Sequence, residues 1–551
     1  MAINNYLLHH LIVKPSDVSK SKMALKHEDK ELSYFELGKD VVKLAKYLNS
    51  LLPTPQNRIS IFLEKRFEFV SSCFASSCAG QIFIPINPIL KSDQVLHILN
   101  DSKSSVFITT LERIKTIDKA LIELDFLNKI ILLDATDDQI NKLICAKKIC
   151  RWQEALNQAN LPETVLQKTL LSTRAAIDTD AVSIFYTSGS TGKPKGVVLS
   201  HRNMVFGAKN VSSYLENNSD DILLAALPLS FDAGFSQLTT GFYVGAKIVL
   251  LNYILPNDIL KLVVKEKITG LTAVPPLWIQ IANLKWPNSV TDHLRYFANT
   301  GGKMPLEILK KLRTHFPKSK PFLMYGLTES FRSTYLPPDE IEQRPNSIGK
   351  AIPNAQILIL KPDGSPCKAK EPGELVHRGA LVGLGYWNDP EKTAERYKFL
   401  PPNACSRPSE IMIPEYVVFS GDLVEKDEDG FIYFIGRNDE MMKTSGYRVS
   451  PMEVEEVIYN TGVAEEVASF SVPDPKLEQI IIAVVKPFSH ESLSNSALNE
   501  KILNYCNDKM PSYMVPSQVE FSNENLPRNQ NGKIDRKSIA LAFINRNKNG
   551  N

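Results

Sequence analysis

Ala181-Val182-Ser183-Ile184-Phe185-Tyr186-Thr187-Ser188-Gly189-Ser190-Thr191-Gly192-Lys193-Pro194-Lys195-Gly196-Val197-Val198-Leu199-Ser200-His201-Arg202-Asn203 is the stretch on which the reading of this chain turns. An apolar run over 181–186 predicts a buried strand, a second run follows over 197–199, and a helix can begin at Ser200-His201. Between the runs, residues 187–196 hold three glycines, four hydroxyl side chains and two lysines. A surface hairpin also uses Gly, Ser, Thr and Pro, but it needs only one or two glycines and has no use for the lysines. Backbone N–H groups, hydroxyls and ammonium groups gathered in one loop point at an anion, and phosphate is the expected one.

Two common phosphate loops are excluded by spacing. Gly189 and Gly192 are too close for a Walker A loop, and Pro194 stands where that loop requires Ser or Thr. The Gly-x-Gly-x-x-Gly pattern of dinucleotide folds is absent as well.

Working outward, short apolar runs alternate with amphipathic helical patterns. Ser33-Tyr34-Phe35-Glu36 reads as a capping box, with Leu37, Val41, Val42 and Leu44 on the apolar face of the helix behind it. Residues 58–63, 81–88, 129–133 and 247–251 read as strands. This alternation predicts an α/β fold with mainly parallel sheets. Beyond about Leu360, short strands separated by Gly, Pro and Asp turns predict a β-rich section closing the large domain. Residues 400–414, with four prolines, read as an exposed loop. Past Gly436 a smaller α+β unit begins. It has a capping box at Ser450-Pro451-Met452-Glu453, a strand over 479–485 and a helix over about 498–510. The expected division is a large domain over 1–436, a hinge over 437–443, a small domain over 444–545 and a disordered tail over 546–551.

The bulk properties fit that picture. A chain of 551 residues exceeds one ordinary core. Its 43% hydrophobic and 23% charged content is that of a soluble globular protein. A formal net charge of +3 gives no sign of nucleic acid or an anionic membrane surface as partner. The seven scattered cysteines form no zinc pattern and read as reduced thiols. The N-terminus lacks the basic and apolar regions of a secretory leader, and no stretch approaches a membrane span, so a cytoplasmic location is expected.

Four further motifs follow the loop in order. They are Tyr325-Gly326-Leu327-Thr328-Glu329, Ser420-Gly421-Asp422, Gly436-Arg437-Asn438-Asp439 with Lys443 and Gly446, and Pro527-Arg528-Asn529-Gln530-Asn531-Gly532-Lys533-Ile534. Together with residues 187–196 they resemble the motifs of the adenylate-forming (ANL) superfamily: acyl-CoA synthetases, luciferases and the adenylation domains of peptide synthetases. The match runs from about Leu32 to Lys537.

The resemblance implies ATP-dependent activation of a carboxylic acid to an acyl-adenylate, with release of pyrophosphate, and transfer to a thiol. The thiol is that of CoA or of a carrier protein's phosphopantetheine. It implies that Thr187, Ser188, Gly189, Ser190, Thr191, Gly192 and Lys195 hold the outer phosphates of ATP. Glu329 would hold Mg²⁺, a hard ion that favours oxygen ligands, and the Thr328 hydroxyl would sit on a phosphate. Tyr325 would lie against adenine, and Asp422 and Arg437 would face the ribose. Lys533 would supply positive charge to the transition state from the mobile small domain, which turns about Asp439 and brings Lys443 and Gly446 to the thiol face.

The acid pocket is expected around Phe231, Asp232, Gly301 and Gly302. Asp232 stands where amino-acid-activating members carry an amine-binding Asp. It is equally placed to cap the following helix, and both readings stand on sequence. Leu327 and Leu323 depart from the peptide-synthetase pattern and favour a CoA ligase. The segments 273–278, 299–302, 331–338 and 377–382 are similar to acyl-CoA ligases associated with bacterial exosortase systems. A binding protein without catalysis is the reading from another class, and the presence of Lys533, Glu329 and Asp422 speaks against it.

Overall fold

The computed structural model describes residues 5–14, 16–157, 162–171, 176–187, 194–406, 413–437, 440–444, 447–474, 478–489, 491, 493–529 and 532–549. The large N-terminal part is built on two sheets. One has 14 strands and the other eight. In the larger, the strands Met23–His27, Ile222–Ala225, Lys247–Leu250, Gly270–Ala273, Tyr296–Asn299 and Lys320–Tyr325 run parallel. From Thr334–Leu336 onward the same sheet continues antiparallel through Ser347–Ala351, Ile432–Arg437, Tyr416–Lys426, Gly373–Gly379 and Ala355–Leu360. The β-rich section expected from the turn spacing is therefore an extension of the α/β sheet, and it starts before Leu360.

The eight-stranded sheet is parallel through Arg58–Phe62, Ile82–Pro85, Val106–Thr110 and Lys129–Leu133. Ala181–Thr187 joins it in parallel and pairs antiparallel with Lys195–Ser200, Thr187 opposite Lys195. The strands that flank the loop on which the sequence reading turns are thus paired at Thr187 and Lys195. Residues 188–193 of the loop lie outside the described set.

Local signals place the helices. Ser33 Oγ accepts from the Glu36 N–H, and the Glu36 carboxylate accepts from the Ser33 N–H at 2.8 Å, which closes the capping box of helix Tyr34–Leu51. Ser200 caps His201–Tyr214 in the same way, through Asn203. Phe235, in helix Asp232–Val244, is fully buried against Phe83, Phe185 and Phe74 with ring centroids 5.1, 5.8 and 6.3 Å away. Burial of such a ring is worth about 1.5–3 kcal/mol, and it fixes the helix whose first residue is Asp232.

Met442–Thr444 pairs with Tyr447–Val449, and the small domain holds a three-stranded sheet of Ala464–Asp474, Glu478–Pro487 and Gln518–Phe521. Helix Pro451–Tyr459 opens on the expected Ser450–Glu453 box. The last helix, Arg536–Asn549, extends into the segment expected to be disordered. Ile539 and Phe543, one turn apart, anchor it among Ala468 and Phe470 of the sheet. All seven cysteines are free, and among the described residues no helix is long and apolar enough to cross a membrane.

Candidate active site

Four parallel strands of the large sheet end on one side of the molecule, and the loops that leave their carboxyl ends carry the predicted site: 226–232, 274, 300–302 and 326–332. This is the crevice where ligands bind in open parallel sheets.

Glu329 sits in a single 3-10 turn, Thr328–Ser330. Lys195 Nζ donates to its Oε1 at 3.2 Å and to the Tyr386 hydroxyl at 2.7 Å, and Tyr386 in turn donates to Glu329. Burial alone would raise the Glu329 pKa, but the Lys195 charge and the Tyr386 hydrogen bond outweigh it and hold the carboxyl below its ordinary value. Lys195 is itself lowered, first by burial and then by the nearby Arg396 and Arg437 charges. Both directions describe one environment. The crevice is rich in cations, which favours any anion entering it. Thr187 Oγ1, at the end of the hairpin strand, is buried and without a hydrogen-bond partner.

Asp422 lies on Tyr416–Lys426, directly opposite Arg437. Its Oδ2 accepts from the Tyr325 hydroxyl at 2.5 Å, whereas Oδ1 is buried with no hydrogen bond, and Arg437 Nε stays 3.7 Å away. Burial raises the Asp422 pKa, and the neighbouring charges only partly oppose it. The sharp backbone turn at Gly421 (φ 73°) brings it against the Arg396 guanidinium, where a Cβ would sit 2.0 Å from Nη1.

Lys533 arrives from the small domain. Its loop is closed by Asn529 N–H donating to Lys533 O at 2.8 Å and by Arg528 donating to Gly532 O at 2.7 Å. The side chain keeps contact with solvent, yet the protein crowds it. Burial and then Arg437 lower its pKa, against the attraction of Asp422, Asp232 and Glu440. The Lys533 charge is thus within electrostatic reach of both Asp422 and Asp232, although about 100 residues or more separate it from each in sequence.

Asp232 is the first residue of its helix, and its side chain makes no cap. Oδ1 accepts from Thr328 Oγ1 at 2.9 Å, and Oδ2 from Arg332 Nη1 at 3.1 Å. Neither the pairing with Arg332 nor the role of Tyr386 was read from the sequence. Arg332 is placed by Phe331, a buried residue with φ 57°, a conformation that a bulky side chain seldom adopts. The Phe331 ring fills the space a Cβ at Gly207 would occupy. A small cavity lies behind Asp232, lined by Ala233, Ser236, Gln237, Thr240, Thr272 and Arg332 among others. Phe231, Asp232, Gly301 and Gly302, expected around the acid pocket, do not line it. Lys443 belongs to Met442–Thr444. Ser188, Gly189, Ser190, Thr191, Gly192, Asp439 and Gly446 lie outside the described residues.

The AMP-binding enzyme model matches residues 15–387, and the AMP-binding enzyme C-terminal domain matches 453–533. The chain belongs to the AMP-binding enzyme family. Feruloyl-CoA synthase of Amycolatopsis sp is 27% identical over 96% of this chain and 98% of its own length. Gramicidin S synthase 2 of Aneurinibacillus migulanus is 26% identical over 97% of this chain, which is 11% of that much longer protein. Among solved folds, the anthranilate CoA ligase AuaEII in complex with anthranoyl-AMP has a TM-score of 0.82 at 23% identity, covering 98% of both chains. ATP-bound MatB from Rhodopseudomonas palustris has 0.82 at 21%, covering 98% of this chain and 99% of that one. These two likenesses establish the family's fold here: a large sheet-built N-terminal domain followed by a small C-terminal one.

Proposed function

We propose that the chain is an AMP-forming acid–thiol ligase of the acyl-CoA synthetase type. In the first half-reaction a carboxylate oxygen attacks the α-phosphorus of ATP. The bond from that phosphorus to the bridging oxygen breaks, and pyrophosphate leaves. In the second, a thiol sulfur attacks the acyl carbonyl, loses its proton, and AMP departs.

The observation that carries this reading is the charge interaction of Lys533 with Asp422 and Asp232. A cation supplied by a separate domain lies within electrostatic reach of both a nucleoside-type carboxylate and Asp232. Two anions must approach each other in the first step, and Lys533 opposes their repulsion and the charge that develops on phosphorus. Asp422 Oδ1, buried without a hydrogen bond, is suited to accept from a ribose hydroxyl, with Tyr325 beside the base and Arg437 near the sugar. Lys195 and the hairpin 187–196 take the outer phosphates. Mg²⁺ commonly uses one or two carboxylates and completes its shell with phosphate and water. That suits Glu329, a carboxylate held below its ordinary pKa. When bound there, the ion would neutralise phosphate charge.

For the second half-reaction we place the hinge at 437–443, around Asp439, between a large domain over 1–436 and a small one over 444–545. Lys443 and Gly446 would then reach the thiol face. The Lys303–Glu456 pair that joins the domains is partly exposed on both sides, so it is worth little and permits rotation. CoA is the acceptor we favour over a carrier protein's phosphopantetheine. An amine-bearing acid finds both Asp232 oxygens already engaged by Thr328 and Arg332, which supports a simple acid over an amino acid. The segments 273–278, 299–302, 331–338 and 377–382 support placement beside the exosortase-associated ligases.

Acid-dependent exchange of pyrophosphate into ATP tests the reading. Lys533→Ala should lower exchange by about 100-fold or more. Thioester formation from a supplied acyl-adenylate should fall much less. Equal losses in both steps would remove Lys533 from the proposed role.

A further inference from the structure

The structure assigns Arg332 as the side chain that selects the acid, and the acid it selects is short and carries a second oxygen acceptor near its carboxylate. This rests on the ligase reading above and goes beyond it by naming the substrate class.

The Arg332 side chain is 3% exposed and faces the cavity behind Asp232. Its Nη1 donates to Asp232 and to Phe331 O, at 3.1 and 2.7 Å. Its Nε is buried and has no hydrogen-bond partner. Other polar groups of the wall are already engaged. Gln237 Nε2 donates to Leu224 O at 2.8 Å and its Oε1 accepts from Leu227 N–H at 3.2 Å, while Ser236 Oγ lies 3.5 Å from Thr240 Oγ1. Arg332 Nε is thus a buried donor of this wall that remains open. A buried guanidinium N–H left unmatched is disfavoured, and an entering oxygen relieves it.

The acid's reacting end is placed by Thr328 and Lys533 at the Asp232 side, so its chain runs toward Arg332. The space behind is about 20 Å³, room for about one water-sized group. A long acyl chain does not fit it. An unsubstituted short chain leaves Nε unmatched. A substrate ammonium would meet the Arg332 charge and would find Asp232 already neutralised. A hydroxyl, oxo or second carboxylate oxygen matches the free donor.

Chain-length-matched probes test this. Exchange is measured as kcat/KM for butyrate, 3-hydroxybutyrate and succinate, with octanoate and alanine as outliers. At least one oxygen-bearing acid should exceed butyrate by about tenfold or more, and the hydroxyl and carboxylate arms identify which oxygen is read. Arg332→Met should collapse that ratio to within about threefold, with the KM for ATP little changed, a pattern that simple destabilisation does not produce. Because the single change leaves Asp232 unpaired, Asp232→Asn/Arg332→Met serves as a second variant and should collapse the ratio likewise. Preference for octanoate, butyrate or alanine would overturn the inference while leaving the ligase reading intact. So would a ratio that survives both variants. Absence of exchange with every acid would overturn both.

Discussion

Two buried carboxylates face the same crevice from different regions, and each has a tyrosine hydroxyl on it. Glu329, on the turn after a parallel strand, also has an ammonium at 3.2 Å. Asp422, on an antiparallel strand of the same sheet, has its nearest guanidinium at 3.7 Å and keeps one oxygen without a hydrogen bond. The first is held ionised and the second is pushed toward its neutral form. Two carboxylates of one crevice therefore need not share one chemistry. The nearest cation decides whether a carboxylate is complete in the free protein or awaits donors from a ligand.

The largest effect expected from breaking this contrast is at Glu329. Glu329→Gln leaves Lys195 without its counter-charge. Exchange should fall by about 100-fold or more, and stability by roughly 2 kcal/mol at neutral pH, allowing for partial exposure of the pair. The Glu329 pKa lies below its unfolded value, so its contribution is full above the unfolded pKa and is lost as pH falls through the folded one. The stability gap between variant and parent should close in acid, as read by urea unfolding at two pH values.

Asp422→Asn should raise the KM for ATP by roughly 10- to 100-fold, the worth of hydrogen bonds to a charged acceptor, with the opposite stability sign. Its folded pKa is raised, so the ionised form burdens the free protein above the unfolded pKa and the burden disappears below it. The variant should match or exceed the parent at pH 7 by about 1 kcal/mol and lose that advantage in acid. A destabilised Asn variant at pH 7 would show that Asp422 is already satisfied. Tyr386→Phe should cost roughly tenfold in exchange and move Glu329 titration upward, whereas Tyr325→Phe should leave Glu329 unmoved.

A smaller and more general effect comes from two buried histidines outside the crevice chemistry. Burial lowers His201 to about 3 and His377 to about 4. Both folded values lie below the unfolded one near 6.5, so the neutral rings are at no disadvantage above that pH, and stability is lost as pH falls from there toward 4. A decline of a few kcal/mol over that window is expected, and His377→Asn should flatten part of it.

Much of the frame was legible from short-range signals. The Ser33, Ser200 and Ser450 caps and the strands at 129–133 and 247–250 formed where hydrophobic period and capping chemistry placed them, because each depends on residues within a few positions. Tyr325 and Asp422 were marked by motif and are joined by a hydrogen bond, and the Lys533 charge reaches Asp422. What escaped the sequence depends on distant neighbours. Arg332 acquires its meaning from Asp232, 100 positions away, and Tyr386 from Lys195, 191 away. Phe331 adopts a positive φ because Gly207 on another helix leaves room for its ring, and nothing local announces that. The final helix was missed because Ile539 and Phe543 are a sparse apolar stripe in a polar segment, made helical by the sheet beneath them.

The short turn through 328–332 has a consequence for anyone wishing to redesign this protein. Thr328 and Arg332 reach the acid side through Asp232, Glu329 reaches the hairpin lysine, and Phe331 fixes the angle between them. The contacts to Asp232 and to Lys195 are thus carried on one five-residue part, seated against a single glycine. Changes that move the backbone of this turn, at Phe331 or Gly207, would disturb the Glu329 side as well. The transferable module is the turn together with Asp232 and Gly207, moved as one piece.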